Sequence, residues 1–150
     1  MEYTTKNQEE TTLIGKDIAS QLQGGDILLL HGDLGAGKTT LTKGIAKYFE
    51  IDEVVSPTFT LMQEYTIRNP KSAVPAGRQE VRSLIHIDTY RLKDEEQLVE
   101  IGVEDYLGAP DTICLIEWPE KIKNLLKNKH IKNIVIKHQK DQERLINLDF

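Results

Sequence analysis

Eight consecutive residues constrain this chain more than any others: Gly32-Asp33-Leu34-Gly35-Ala36-Gly37-Lys38-Thr39 fit the spacing G-x-x-x-x-G-K-[ST] at each fixed position. Before them runs Ile27-Leu28-Leu29-Leu30, apolar and of buried-strand length; after them Leu41, Ile45 and Tyr48 or Phe49 recur at helical spacing. The pattern predicts strand, loop and helix in that order. Glycines at 32, 35 and 37 take backbone angles that a side chain forbids, so successive N–H groups can turn inward around a polyphosphate. The anion then lies at the positive end of the following helix. Lys38 is placed to reach the β- and γ-phosphates, and the Thr39 hydroxyl to bind a Mg²⁺ that bridges the same oxygens. A glycine-rich linker with no ligand would need neither the lysine nor the threonine.

At 150 residues the chain suits one domain, 1–150, with a sizeable core. Little length remains for a separate substrate-binding lid, a base-reading insertion or a second domain, which favours a compact ATPase over a multi-substrate enzyme. The hydrophobic fraction of 39% and charged fraction of 29% are those of an ordinary globular protein, and a net charge of -5 excludes general polyanion binding. Locally, Lys121, Lys123, Lys127, Lys129, Lys132, Lys137 and Lys140 form either a solvated face or a patch for RNA or an acidic partner. Cys114, the single cysteine, lies within Ile113-Cys114-Leu115-Ile116 and reads as a buried, inert thiol. Met1-Glu2-Tyr3-Thr4-Thr5-Lys6 lacks a basic and then apolar leader, and no apolar stretch nears the roughly 20 residues that span a bilayer. The expected location is the cytoplasm, with no membrane partner.

Along the chain, Asn7 with Glu10 marks a helix start, with Ile14, Ile18 and Leu22 on one face and Gly24-Gly25 as the stop. Strands are expected at 26–31, from Phe59 to Ile67, from Ser83 to Asp88 and from Thr112 to Glu117. Arg68 to Arg82, with Asn69-Pro70, Pro75 and Ala76-Gly77, reads as an irregular surface loop. Asp94 to Leu107 is expected to be helical around Leu98 and Ile101, as is Pro119 to Leu126; two strands, Ile131 to Lys137 and Arg144 to Phe150, follow. The fold class is α/β: a P-loop NTPase sandwich whose central, mostly parallel sheet gains antiparallel strands and is flanked by helices.

Hydrolysis of a γ-phosphate also needs an acidic group to support Mg²⁺ and a group to orient water. In such folds these stand at the carboxyl ends of strands beside the phosphate loop. Glu117 ends Ile113-Cys114-Leu115-Ile116 and is assigned to the metal, directly or through water; Asp88 ends Leu84-Ile85-His86-Ile87 and is assigned to positioning water or supporting the metal's ligands. The plain alternative for each is a carboxylate that caps the next helix. The cluster His86-Ile87-Asp88-Thr89-Tyr90-Arg91 is expected to project into the same cleft. Ser56-Pro57-Thr58 suits a switch in which Ser56 and Thr58 sense the γ-phosphate, or else is an ordinary Ser-Pro turn. His31 has no clear partner, while His130 and His138 read as surface residues.

With these residues assembled, the chain resembles the TsaE (YjeE) family of ATPases of tRNA threonylcarbamoyladenosine synthesis. The resemblance runs through Gly32 to Thr40, Ser56-Pro57-Thr58-Phe59-Thr60-Leu61, His86-Ile87-Asp88-Thr89-Tyr90-Arg91-Leu92 and Ile116-Glu117-Trp118-Pro119, four motifs in one order over nearly the whole length. It implies a weak intrinsic ATPase that uses ATP and Mg²⁺ and works with TsaD and TsaB. TsaD transfers threonylcarbamoyl to adenosine 37 of ANN-decoding tRNAs, and ATP turnover resets the complex, so tRNA is met only indirectly. It implies further that Asp33, Leu34, Gly35, Ala36, Gly37, Lys38, Thr39 and Thr40 cradle the nucleotide with Trp118 nearby, that Thr39 and Glu117 bind Mg²⁺, and that Asp88 and Lys38 serve hydrolysis. Arg68 to Arg82 is longer and more polar than in compact members of the family.

Other readings fit less well. A GTPase reads guanine with Asn-Lys-x-Asp, and the nearest match, Asn128-Lys129-His130-Ile131, lacks the aspartate. A small-molecule kinase adds an Arg-bearing lid, for which the loop around Arg78 and Arg82 is short and irregular. A nucleotide-sensing docking subunit with negligible hydrolysis is the remaining alternative.

Overall fold

Three short strands that are buried on both faces set the layering. The structure, a computed structural model, describes residues 1–57, 59–70 and 75–150. Along Ile27–His31, Ser83–Asp88 and Thr112–Glu117, successive side chains point to opposite faces of a sheet. Leu28, Leu30, Leu84, Ile113 and Leu115 therefore join one core with Ile18, Leu41, Ile45 and Phe49, whereas Ile27, Leu29, Ile85, Ile87, Cys114 and Ile116 join another with Leu98, Val103 and Ile122. Helices cover both faces of the sheet.

In chain order the regular elements are β1 (Glu2–Thr5), α1 (Gln8–Ala19), β2 (Ile27–His31), α2 (Lys38–Tyr48), β3 (Met62–Thr66), β4 (Ser83–Asp88), α3 (Glu96–Glu100), β5 (Thr112–Glu117), β6 (Ile131–His138) and β7 (Arg144–Leu148). The strands form a seven-stranded sheet in the order β1-β7-β6-β2-β5-β4-β3. The four central strands, β6, β2, β5 and β4, are parallel, and β3, β7 and β1 join antiparallel at the two sides. This is the expected α/β arrangement. α1 starts as its sequence predicts: Asn7 Oδ1 accepts from Glu10 N at 2.9 Å, and Glu10 Oε2 accepts from Lys6 N at 2.7 Å.

Several elements depart from expectation for local reasons. The helix expected from Asp94 to Leu107 is only α3, because Gly102 takes the left-handed conformation (φ +86°) and ends it; a 3-10 turn, Val103–Asp105, follows. From Pro119 the chain makes a 3-10 turn to Ile122 rather than a helix to Leu126, since the amides of Asn124 and Leu125 donate to Glu95 Oε1, at 2.9 and 3.4 Å. β3 begins at Met62 and not at Phe59: Leu61 has φ +66°, and Phe59 is 82% exposed. α1 stops at Ala19, before the Gly24-Gly25 pair. β1 is an unexpected edge strand held by β7. Among the described residues no helix is long and apolar enough to cross a membrane.

Candidate functional site

Because β2, β4 and β5 are parallel, their carboxyl ends share one edge of the sheet. Register puts Leu30 opposite Glu117, and Glu117 opposite Asp88. Both carboxylates thus lie on one rung, on the face that α1 and α2 cover. Beyond His31 the chain leaves β2, bends through the glycine loop and returns as α2. A cleft of about 580 Å³ opens between the loop and the strand ends.

On the loop side, Gly37 (φ +111°) is the residue that caps α2, a backbone state that other residues adopt only at a cost. Gly37 offers this helix no side-chain cap and its first turn holds no acid, so the helix presents the positive end of its dipole to an anion. Lys38 is 6% exposed; its Nζ donates to Gly32 O at 2.5 Å and lies 3.8 Å above the Trp118 ring. Burial pulls the Lys38 pKa below its ordinary value, against the raising pull of Glu117, Asp88, Glu120 and Asp33. The ammonium is therefore poorly solvated, and phosphate oxygens would be strong competitors for it.

On the strand side, Glu117 is 4% exposed and its Oε2 lies 2.8 Å from His86 Nε2. Asp88 Oδ1 accepts from Tyr90 N at 2.9 Å, so this carboxylate closes a local turn rather than capping a helix. Trp118 takes a left-handed conformation (φ +59°), and Thr89 Oγ1 bonds the carbonyls of Glu117 and Trp118. That kink brings the indole face against the Lys38 ammonium, with the Tyr90 ring 5.1 Å away. Thr39, Asp88 and Glu117 are hard oxygen donors of the kind Mg²⁺ takes. Among the described residues no group of three or more His, Cys, Asp or Glu side chains forms a metal cage, so such an ion would complete its shell with phosphate and water.

The cleft gathers Leu34, Gly35, Gly37, Lys38, Thr39, Thr40, Ser56, Asp88, Glu117 and Trp118 of the expected set. Asp33 and Ala36 instead line a neighbouring groove against residues 135–138. Thr58 lies outside the described residues. Of the cluster at 86–91, Asp88, Tyr90 and Arg91 reach the cleft, but His86 is 1% exposed and lies below it. His31 does have partners: Nδ1 lies 3.3 Å from Glu120 Oε1 and Nε2 lies 3.0 Å from Asn133 Oδ1. Within the lysine-rich segment, Lys132 pairs with Asp26 at 2.8 Å, Lys129 donates to Leu107 O at 3.2 Å and Lys121 to Tyr90 O at 2.5 Å.

Sequence reasoning missed Gln8, Thr11, Gln142 and Arg144, which also line the cleft. Arg144 Nη2 donates to Gly35 O at 3.4 Å, and its Nε stands 3.3 Å from where a Cβ on Gly37 would be. No local pattern marks these residues. They arrive through α1 and through the position of β7 beside β6.

The parallel strands, the glycine loop with its lysine and threonine, and the facing carboxylates define a protein of the P-loop NTPase-like class. The family model described as "Threonylcarbamoyl adenosine biosynthesis protein TsaE" matches residues 5–146. The tRNA threonylcarbamoyladenosine biosynthesis protein TsaE of Bacillus subtilis (strain 168) is 40% identical, over 97% of this chain and 83% of that protein. The Haemophilus influenzae protein of the same name is 45% identical over 67% of this chain and 56% of its own length. Among solved structures, the crystal structure of Bacillus subtilis YdiB matches with a TM-score of 0.74 and 36% identity, covering 99% of this chain and 83% of that one. The chain belongs to the TsaE family.

Proposed function

We propose that this chain is a Mg²⁺-dependent ATPase subunit of tRNA threonylcarbamoyladenosine formation, slow alone and faster with TsaB and TsaD. In this reading it acts in the cytoplasm, and its turnover resets that complex between modifications of adenosine 37 in ANN-decoding tRNAs. One observation carries the reading: a single cleft sets the loop of Lys38 and Thr39 against two carboxylates on one sheet rung.

When bound, Mg²⁺ would supply charge neutralisation to the phosphates. The chain's own residues do the rest. Lys38 leaves Gly32 O for phosphate oxygen, and the amides around Gly35 to Thr40 hold the remaining charge. Thr39 and Glu117 would hold the cation, Asp88 would orient the attacking water, and Trp118 would cover the site from solvent. Ser56 and Thr58 belong to a segment that senses the γ-phosphate.

The test is phosphate release by this protein alone and with TsaB and TsaD. Stimulation by the partners, lost in Lys38→Ala and Asp88→Ala, supports the proposal. Unchanged reset of the complex by a hydrolysis-dead variant would replace it with a nucleotide-sensing docking role. ATP consumption only with a small acceptor would make the chain a kinase.

A further inference from the structure

A buried imidazole under the cleft remains without a role. His86 lies in β4 between Leu84 and Asp88 on the same face, opposite Leu115, where an apolar side chain would pack without loose ends. It is 1% exposed, its Nε2 is 2.8 Å from Glu117 Oε2, and its Nδ1 is buried with no hydrogen-bond partner among the described residues. A carboxylate only accepts, so the proton of this bond is on Nε2. The bond occupies one oxygen of Glu117. Oε1 has no hydrogen-bond partner among the described residues, and Glu117 lines the cleft.

We propose that His86 is the positioning residue of the cation site: its Nε2–H fixes the Glu117 side chain so that Oε1, not Oε2, is presented to Mg²⁺. Ligating carboxylates are commonly held by such a bond, and its loss typically weakens metal affinity about 10- to 100-fold. The orphaned Nδ1 is what remains of a side chain kept for one nitrogen. This proposal rests on the reading of Glu117 as a metal ligand.

The experiment measures the Mg²⁺ concentration that half-saturates binding of a non-hydrolysable ATP analogue, by calorimetry on the full chain, with binding in EDTA as the control. His86→Leu removes the donor at similar volume; His86→Gln returns an amide N–H. The leucine variant should raise the Mg²⁺ requirement about tenfold while leaving binding in EDTA unchanged, and the glutamine variant should recover most of the loss. A leucine variant with the wild-type requirement, where Glu117→Gln shifts it, overturns the role of His86 and leaves the Glu117 reading standing. Equal loss with and without Mg²⁺ would mean that His86 only supports the fold. If Glu117→Gln itself changes nothing, the metal reading falls and this proposal with it. Should the leucine variant not fold, imidazole ¹⁵N shifts of the wild type decide. An Nε2–H tautomer whose signal moves when Mg²⁺ joins the analogue is expected; an Nδ1–H tautomer or an unmoved signal overturns the proposal.

Discussion

Asp88 and Glu117 are the last paired residues of β4 and β5 and stand directly opposite each other, 7% and 4% exposed, facing the Lys38 ammonium across the cleft. Two buried carboxylates beside one lysine are costly to keep without a further cation. Exchanging either for its amide keeps the shape and removes a charge. Glu117→Gln and Asp88→Asn should each lower partner-stimulated phosphate release by roughly 10²-fold. Melting temperatures of the nucleotide-free variants should equal or exceed the wild type. Stopped phosphate-release assays and thermal melts check both halves, and a variant that loses stability but keeps its rate would contradict the assignment.

The Lys38 ammonium over the Trp118 ring provides an optical reporter, since Trp118 is the single tryptophan of the chain. An ammonium 3.8 Å from the ring perturbs the indole through a cation–π contact. Phosphate binding should draw Lys38 off Gly32 O and off the indole, so emission from Trp118 should change with a saturating dependence on ADP. Lys38→Met should shift the emission of the free protein and abolish the titration. A nucleotide that binds calorimetrically with no change in emission would show that Lys38 stays where it is.

The glycine loop, its strand and both strand-end carboxylates were legible because each is a short-range pattern: an apolar run, then a residue type at fixed spacing. The apolar spacing around Leu98 and Ile101 predicts a longer helix than α3, because one glycine in the left-handed region outweighs that spacing. The pairing of His86 with Glu117, the arrival of Arg144 at Gly35 and the edge strand β1 depend on which strands lie side by side. Strand order is a non-local property, and no window of sequence contains it. His31 has no partner legible in the sequence for the same reason: Asn133 reaches it only because β6 pairs with β2.

Cys114 yields a pH test. Burial in the second core, above all, pushes its thiol up to about 12 from an ordinary 9.0, and its Sγ donates to Tyr106 O at 3.4 Å. The unfolded chain loses this proton near 9 while the folded chain holds it to about 12, so across that window the folded state binds more protons. Stability must then fall as pH rises, by about 1 kcal/mol per pH unit from this group alone. Denaturant titrations from pH 8 to 11 should show a steeper loss for the wild type than for Cys114→Ala. Maleimide should label the native protein only in step with unfolding. Parallel stability curves, or rapid labelling of folded protein, would place the thiol in a wetter setting.

Helices α1 and α2 cross through two glycines, and that contact ties the fold to the cleft. A Cβ on Gly44 would stand 2.3 Å from Thr12 O and 3.0 Å from the Gly15 Cα, both backbone atoms that cannot swing aside. Gly44→Ala gains about 1 kcal/mol of helix propensity yet must push the helices apart, an overpacking cost of about 1–3 kcal/mol. The net effect should be a lower melting temperature. α1 carries Gln8 and Thr11 into the cleft and α2 carries Lys38 and Thr39, so separating them should also weaken nucleotide affinity. Gly77→Ala, at a glycine with open space around it, is the control for substitution at large: it should leave affinity unchanged, its strain at φ +86° being confined to a surface turn. Calorimetry and thermal melts on the two variants separate the effects. A Gly44→Ala protein that melts at or above the wild-type temperature with full affinity would mean that the two helices do not meet at their glycines.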